Sequence, residues 1–441
     1  MFTLSRRHRR RVLWAALVSD AVFPLAITGA TAVVPDVTRH LPGPTALGPW
    51  IVLAYNGIFA AALLLAGTMA DRTARTRFFA LGNLVVAATG VASAFAPDLL
   101  SLVALRTVAG FGAAMCAAGA SSMVLAVYPP EDRRRVYGYI GAVMGGGLAM
   151  GPLVAQGLMA LGGWPLVFVV PGAVAALAAL TTLGLPGLRT PHARGDYDLA
   201  GAVLFGVTIS AVVTALGLGL GSGIPWWVPG LLLFLALTTA LLLVRVERRA
   251  EHPAIPLDLL RIPAYRAYAV ATGAFMGLLV VGLAVLPQLG AAERVGPGEA
   301  ALILSLLTVP STLLPLIASR LARRWARRLV TGALLAGAAA SALLLFTTHL
   351  AALLIAAAVA GAVLGLTEGV PDGQALKHVP SDRGGAGAAL FNTARISLET
   401  LTLAAATGVM AATGPSAGMA VAGVVCLTAA AIVLRLVPRT R

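Results

Sequence analysis

The feature that most constrains this chain is the recurrence of long apolar runs. A helix needs about 20 apolar residues to cross the hydrocarbon core of a bilayer. Runs of that order lie near 12–35, 49–70, 78–96, 98–127, 136–160, 164–186, 199–220, 226–244, 267–289, 299–319, 329–347, 350–374, 385–411 and 416–437. The chain is 59% hydrophobic and 11% charged, against about 25% charged residues in soluble domains. Lipid, not water, must solvate most of such a surface. The pattern predicts an all-α membrane protein with fourteen transmembrane helices.

The net charge of +15 admits two readings, a nucleic-acid partner or a membrane topology signal. Position decides between them. Of the 32 Lys and Arg residues, 28 fall in the loops on the side of the N terminus, and only Arg39 and Arg294 lie in the opposite loops. Positive residues collect on the cytoplasmic side, so both termini are expected in the cytoplasm and no nucleic acid is needed. Arg6 to Arg11 precede the first apolar run with no small-residue cleavage site after it, which reads as an anchored first span rather than a cleaved signal. Trp50, Trp164, Trp226 and Trp227 fall at span ends, where amphipathic rings prefer the interface. Cys116 and Cys426 lie inside apolar runs, without metal-ligand spacing or a disulfide framework, and read as packing residues.

The chain also echoes itself. Ala66 to Arg75 after the second run and Ala318 to Arg327 after the tenth share a small residue, an Ala-x-Arg pattern and a further Arg. Pro130-Glu131-Asp132-Arg133 and Pro380-Ser381-Asp382-Arg383 repeat ahead of the fifth and thirteenth. Spans 1–6 thus match spans 9–14, dividing the chain into 1–190, an additional pair of spans with a connector at 191–262, and 263–441. Parallel repeats of this kind build one large class of secondary transporters, with a substrate site near the midplane.

These residues resemble the major facilitator superfamily, and within it the fourteen-span drug:proton antiporters. Gly67-x-x-Ala70-Asp71-Arg72-x-x-Arg75-x-Arg77 matches the superfamily's loop motif. Arg106-x-x-x-Gly110-x-Gly112-Ala113 in span 4 resembles the antiporters' embedded-arginine motif, and Gly147-x-x-x-Gly151-Pro152 in span 5 their signature helix. Asn392-Thr393-x-Arg395 opens span 13 as in that family. The resemblance implies two six-helix bundles plus two central helices. It also implies proton-coupled efflux by alternating access, and a latch formed by Gly67, Asp71, Arg72, Arg75 and Arg77. There are departures: the family's first-span Asp falls near Ala26, whereas this chain has Asp20; Arg323 stands where the first loop has Asp71; and Ala155-Gln156 follow Pro152 in place of a Gly pair.

Charges inside a bilayer cost about 2.5–3.5 kcal/mol each and usually mark a functional cavity. Asp20 and Arg106 lie at similar depths and form the expected proton-coupling site, with a permanent buried ion pair as the structural alternative. Arg395 and Glu399 share a helix face, as an intrahelical pair or as substrate ligands. Glu368 shares a face with Asp372 and would favour a lipophilic cation. Asn56, Gln156 and Asn392 complete the expected cavity lining. Gly147 and Gly151 permit close helix packing. There is no phosphate loop, zinc-binding pair or nucleophile elbow, so no cofactor, metal or catalytic residue is expected. The expected partners are a small lipophilic substrate, protons and membrane lipid, in a bacterial cytoplasmic membrane. Export of small amphipathic compounds such as drugs or an antibiotic heads the reading. A proton-coupled carrier of one metabolite is the alternative, and a membrane enzyme or sensor a more distant one.

Overall fold

The computed structural model describes residues 5–188, 198–218, 224–250, 258–367, 369–379 and 384–438. Among these residues there is no strand. The helices are α1 (Arg6–Pro24), a π-helical turn (Leu25–Gly29), α2 (Ala30–His40), α3 (Trp50–Arg72), α4 (Arg75–Ser93), α5 (Leu99–Val127), α6 (Pro130–Gly162), α7 (Trp164–Thr181), α8 (Leu199–Leu218), α9 (Trp227–Glu247), α10 (Pro263–Ala292), α11 (Pro297–Leu313), α12 (Pro315–Phe346), α13 (Leu350–Thr367), α14 (Val370–Leu376), α15 (Gly384–Thr413) and α16 (Pro415–Leu436).

Local chemistry sets many of these starts. Ser5 caps α1 by accepting the His8 amide. Asp98 and Ser101 form a reciprocal capping box at α5, with the Ser101 amide 2.7 Å from the Asp98 carboxylate; this satisfies two of the orphan donors at a helix start. Proline opens α6, α10, α11, α12 and α16, at the position where its missing N–H costs nothing.

Among the described residues, twelve helical segments are long and apolar enough to cross a membrane. The runs expected at 136–160 and 299–319 contribute the shorter apolar stretches Leu153–Gly162 and Leu302–Ser311. Near Pro315 the tenth run is split between α11 and α12, because proline cannot supply an interior helix hydrogen bond. The expected single helix over 350–374 is likewise divided: α13 ends at Thr367, Gly369 takes φ +70°, and α14 begins at Val370.

The chain forms two compact units, Met1–Ser210 with Leu237–Ala254, and Ala211–Ala236 with Ile255–Arg441; the division passes through α8 and α9. In the first unit α3 packs on α5, α4 on α5 and α7, and α1 on α6 and α7. The second unit repeats each pairing: α11 on α13, α12 on α13 and α16, α10 on α15 and α16. The repeat reaches atomic contacts. A Cβ on Gly110 would lie 2.4 Å from the Tyr55 carbonyl oxygen, and one on Gly361 would lie 2.4 Å from that of Leu306. Both members of the pair are displaced by 251 residues, so each unit brings its second and fourth spans into backbone contact through a glycine. Small residues drive such approach in lipid, where the hydrophobic effect gives no net force between helices.

Candidate functional site

Arg106 lies near the start of α5 and is 4% exposed. Its Nε donates to the Ile51 carbonyl at 2.9 Å and its Nη2 to the Ala26 carbonyl at 2.7 Å. The guanidinium also sits over the Tyr55 ring, 4.2 Å from its centroid, and 5.6 Å from that of Phe168. Hydrogen bonds to a charged group contribute about 1.5–3 kcal/mol each, and a desolvated cation–π contact about 2 kcal/mol. Together these exceed the insertion cost of about 2.5–3.5 kcal/mol, so this cation needs no carboxylate. A small cavity of about 20 Å³ opens beside it, lined also by Tyr55, Ser93, Val167, Phe168 and Gly172; that is room for about one water.

The acceptor at Ala26 belongs to the π-helical turn that follows Pro24. Pro24 has no N–H for the Asp20 carbonyl, so the α-helical ladder is interrupted there, and π turns concentrate at functional sites. The Thr28 hydroxyl donates to the Pro24 carbonyl at 2.8 Å. The glycine face of α6 closes on this same turn: a Cβ on Gly147 would lie 2.4 Å from Pro24 Cγ, and one on Gly151 only 1.8 Å from Thr28 Oγ1. The Pro152 side chain lies outside the described residues.

Asp20 does not reach Arg106. The expected approach of the two fails because the guanidinium is committed to the Ala26 carbonyl on span 1, a turn and a half beyond Asp20, to the Ile51 carbonyl on α3 and to an aromatic ring. Asp20 is half-buried on α1, in the electrostatic reach of Cys116. Its neighbour Ser19 donates to the Asn83 side chain at 3.0 Å. Cys116, expected to be buried, is half-buried; Cys426 is fully buried, and both are free thiols. Asn56 is 2% exposed, and neither end of its amide has a hydrogen-bond partner. Gln156 is exposed.

The loop motif takes part in a backbone junction. The Arg75 amide donates to the Leu188 carbonyl at 3.4 Å and the Thr76 hydroxyl to that of Pro186 at 3.1 Å. Arg72 and Arg77 are exposed and Arg75 is half-buried. A Cβ on Gly67 would meet nothing within 4 Å. The Asp71 side chain lies outside the described residues. On the same side of this unit, Arg11 donates to the Thr181 carbonyl at 3.1 Å and to that of Leu183, and the Tyr128 hydroxyl to that of Arg9 at 2.7 Å.

The second unit contains a small cavity of its own, of about 10 Å³, about what one water needs. It is lined by Thr272, Phe275 and Met276 of α10, Thr367 at the end of α13, Asp372 of α14 and Arg395 of α15. Arg395 is half-buried, faces both Asp372 and Glu399 electrostatically, and keeps a buried Nε without a hydrogen-bond partner. Asp372 was not among the expected site residues. A continuous helix would have placed it on one face with Glu368, near the end of the span; the break at Gly369 places it on a cavity with Arg395. The Gly369-Val370-Pro371 sequence, a breaker pair, was the available signal. Glu368 itself lies outside the described residues. Asn392 is exposed.

The family model described as the Major Facilitator Superfamily matches residues 16–287. A puromycin resistance protein (pur8) of Streptomyces alboniger is 34% identical over 354 residues, 75% of this chain and 67% of its own length. A multidrug resistance protein, Stp, of Mycobacterium tuberculosis is 26% identical over 385 residues, 86% of this chain and 71% of its own. Among solved structures, the sulfate complex of the peptide transporter POT superposes with a TM-score of 0.67 at 17% identity, over 97% of this chain and 93% of that one. The helix-only architecture, the repeated pairings and these likenesses define a multi-pass membrane transporter. The chain belongs to the major facilitator superfamily, and its relatives include drug and antibiotic efflux proteins.

Proposed function

We propose that this protein exports small amphipathic compounds from the cytoplasm in exchange for protons, by alternating access in a bacterial cytoplasmic membrane with both termini inside. The observation that carries the reading is the meeting of two motifs at one irregular turn. The glycine face of α6 and the Arg106 guanidinium both close on residues 24–28 of span 1. A mechanism that moves span 1 must pass through this joint. The names of the efflux relatives agree with it. In this reading Asp20, beyond Pro24 on the same span, loads and releases the proton, and Arg106 holds the turn that couples Asp20 to the rest of the bundle. Segments 1–190 and 263–441 rock as halves, with 191–262 as the additional pair of spans. Gly67, Asp71, Arg72, Arg75 and Arg77 act as the latch on one conformer.

The test is substrate-dependent proton release in inside-out vesicles, followed with a pH-sensitive dye over a panel of lipophilic cations and neutral antibiotics. The expected result is collapse of the pH gradient with the native protein and none with Asp20→Asn. A folded, inserted protein to which no compound on the panel responds would instead be a carrier of one metabolite. Normal exchange by Asp20→Asn would remove Asp20 from the mechanism.

A further inference from the structure

Where α12 and α16 leave the apolar layer, the second unit carries positive charge that its own segments do not balance. Arg320, Arg323, Arg324, Arg327 and Arg328 cluster around the start of the apolar span at Trp325, and Arg435 lies in the last turn of α16. No Asp or Glu occurs between Glu299 and Glu368 or after Glu399. Among the described residues no ion pair within 4.0 Å engages Arg327, Arg328 or Arg435. The two helices meet at this level: Arg327 Nη2 donates to the Leu434 carbonyl at 3.0 Å, next to the exposed Arg435. The Nε of the same guanidinium is buried without a hydrogen-bond partner, although buried donors are ordinarily satisfied. α12 kinks at Trp325 (φ −131°, ψ 18°), and the indole is 46% exposed. The Arg328 guanidinium lies over that ring, 4.5 Å from its centroid. Such a contact engages the charge and leaves the N–H fork free for a bidentate phosphate. Tryptophan at a span end settles at head-group level, so the ring holds this arginine where lipid phosphates lie. The first unit closes the matching place by itself. The echo of Ala66–Arg75 in Ala318–Arg327 sets Arg75 against Arg327, and there the Leu188 and Pro186 carbonyls accept from the Arg75 amide and the Thr76 hydroxyl. In the second unit Trp325 and Arg328 stand exposed instead.

We propose that this corner of α12 and α16 binds the head group of an anionic phospholipid. Arg327 and Arg328 hold the phosphate, Arg435 adds charge from α16, and Trp325 sets the depth. A phosphate supplies both what the corner lacks, a negative charge, and the acceptor oxygens that its donors need. A zwitterionic lipid brings its own ammonium to the same place and gains less. The attraction of basic segments to an anionic surface acts on every arginine near it; this corner differs because donors from two helices converge and one of them is buried and idle. The bound lipid bridges α12 to α16 from the bilayer side, and the site stands independently of what the protein carries.

The test is native mass spectrometry of the purified full chain in an uncharged detergent, titrated with phosphatidylglycerol and with phosphatidylcholine. The first phosphatidylglycerol is expected to bind at least about tenfold more tightly than the first phosphatidylcholine, the sum of about fivefold for each arginine that meets the phosphate. Arg328→Gln should weaken phosphatidylglycerol by about fivefold, and Arg328→Gln with Arg435→Gln by about 25-fold. Both positions are exposed, so the double variant keeps the fold, whereas Arg327 is left in place because it ties α12 to α16. Trp325→Leu should weaken binding by about twofold to fivefold. Arg10→Gln, at an exposed arginine of the first unit, should leave it unchanged. A parallel unfolding scan separates the two sources of phosphate: phosphatidylglycerol should raise the midpoint, as a ligand of the folded state does, and millimolar inorganic phosphate should not. Equal affinity for the two lipids, native affinity in the double variant, or an equal loss in Arg10→Gln would overturn the proposal. A midpoint raised as much by inorganic phosphate would make the corner a free-anion site and overturn it equally.

Discussion

Arg106 and Arg395 are both cations inside apolar helices, and they are held in opposite ways. Arg106 is 4% exposed, spends two nitrogens on backbone carbonyls and lies against Tyr55. Arg395 is half-buried, faces two acids and has an idle Nε. The repeat does not relate them. The displacement of 251 residues that carries Gly110 to Gly361 carries Arg106 to Ala357, a fully buried alanine. One fold built twice has thus placed its embedded charge at two different positions. A cation whose bonds go to backbone carbonyls fixes geometry, because those acceptors cannot titrate or leave. A cation whose partners are carboxylates can be re-paired by a proton or a competing cation.

The comparison breaks most visibly at Arg106. Arg106→Met removes the guanidinium's hydrogen bonds to the Ile51 and Ala26 carbonyls, at about 1.5–3 kcal/mol each. The expected loss is about 3 kcal/mol or more, read from chemical or thermal unfolding in detergent. A stability loss below about 1 kcal/mol would show that the carbonyl bonds do not hold the turn. Next in size is the joint between α6 and span 1. Gly151→Ala forces a Cβ against Thr28 Oγ1 and should cost about 1–3 kcal/mol. Gly157→Ala on the same helix meets nothing within 4 Å and should stay within about 0.5 kcal/mol. Helix propensity favours both substitutions, so equal losses from both would mean that the contact with Thr28 is not what sets the effect.

The smallest effect lies outside the membrane spans, at the start of α5. The Ser101 amide and hydroxyl hold the Asp98 carboxyl below its ordinary range. A depressed folded-state value adds stability that is present above the unfolded pKa, about 3.9, and is lost as pH falls through the folded value. Asp98→Ala should therefore melt slightly earlier than the native chain at pH 7, and the gap should narrow as the pH falls below the ordinary carboxylate range. A gap that does not change with pH would rule out the carboxylate's charge as its source.

Much of this fold was legible because the bilayer imposes a length and a polarity that sequence shows directly. The run boundaries, the embedded Arg106 and the shared face of Arg395 and Glu399 are all local features. The repeat was legible too, from loop motifs that flank equivalent spans. What escaped was set by backbone. The carbonyls of Ile51 and Ala26 have no side-chain signature, so a carboxylate, Asp20, stood in for them as the expected partner of Arg106. The π turn after Pro24 and the break at Gly369 redirect side chains by fractions of a turn that 3.6-residue periodicity cannot register. Asp372 was hidden by that second break.

The measurement that tests this contrast most directly is thermal unfolding of Arg106→Met and Arg395→Gln side by side. Arg106→Met is expected to melt well below the native chain, because its guanidinium holds two backbone carbonyls. Arg395→Gln, whose Nε has no hydrogen-bond partner, is expected to stay the more stable of the two. If Arg395→Gln melts as early as Arg106→Met, the two arginines do the same job and the distinction drawn between them is wrong.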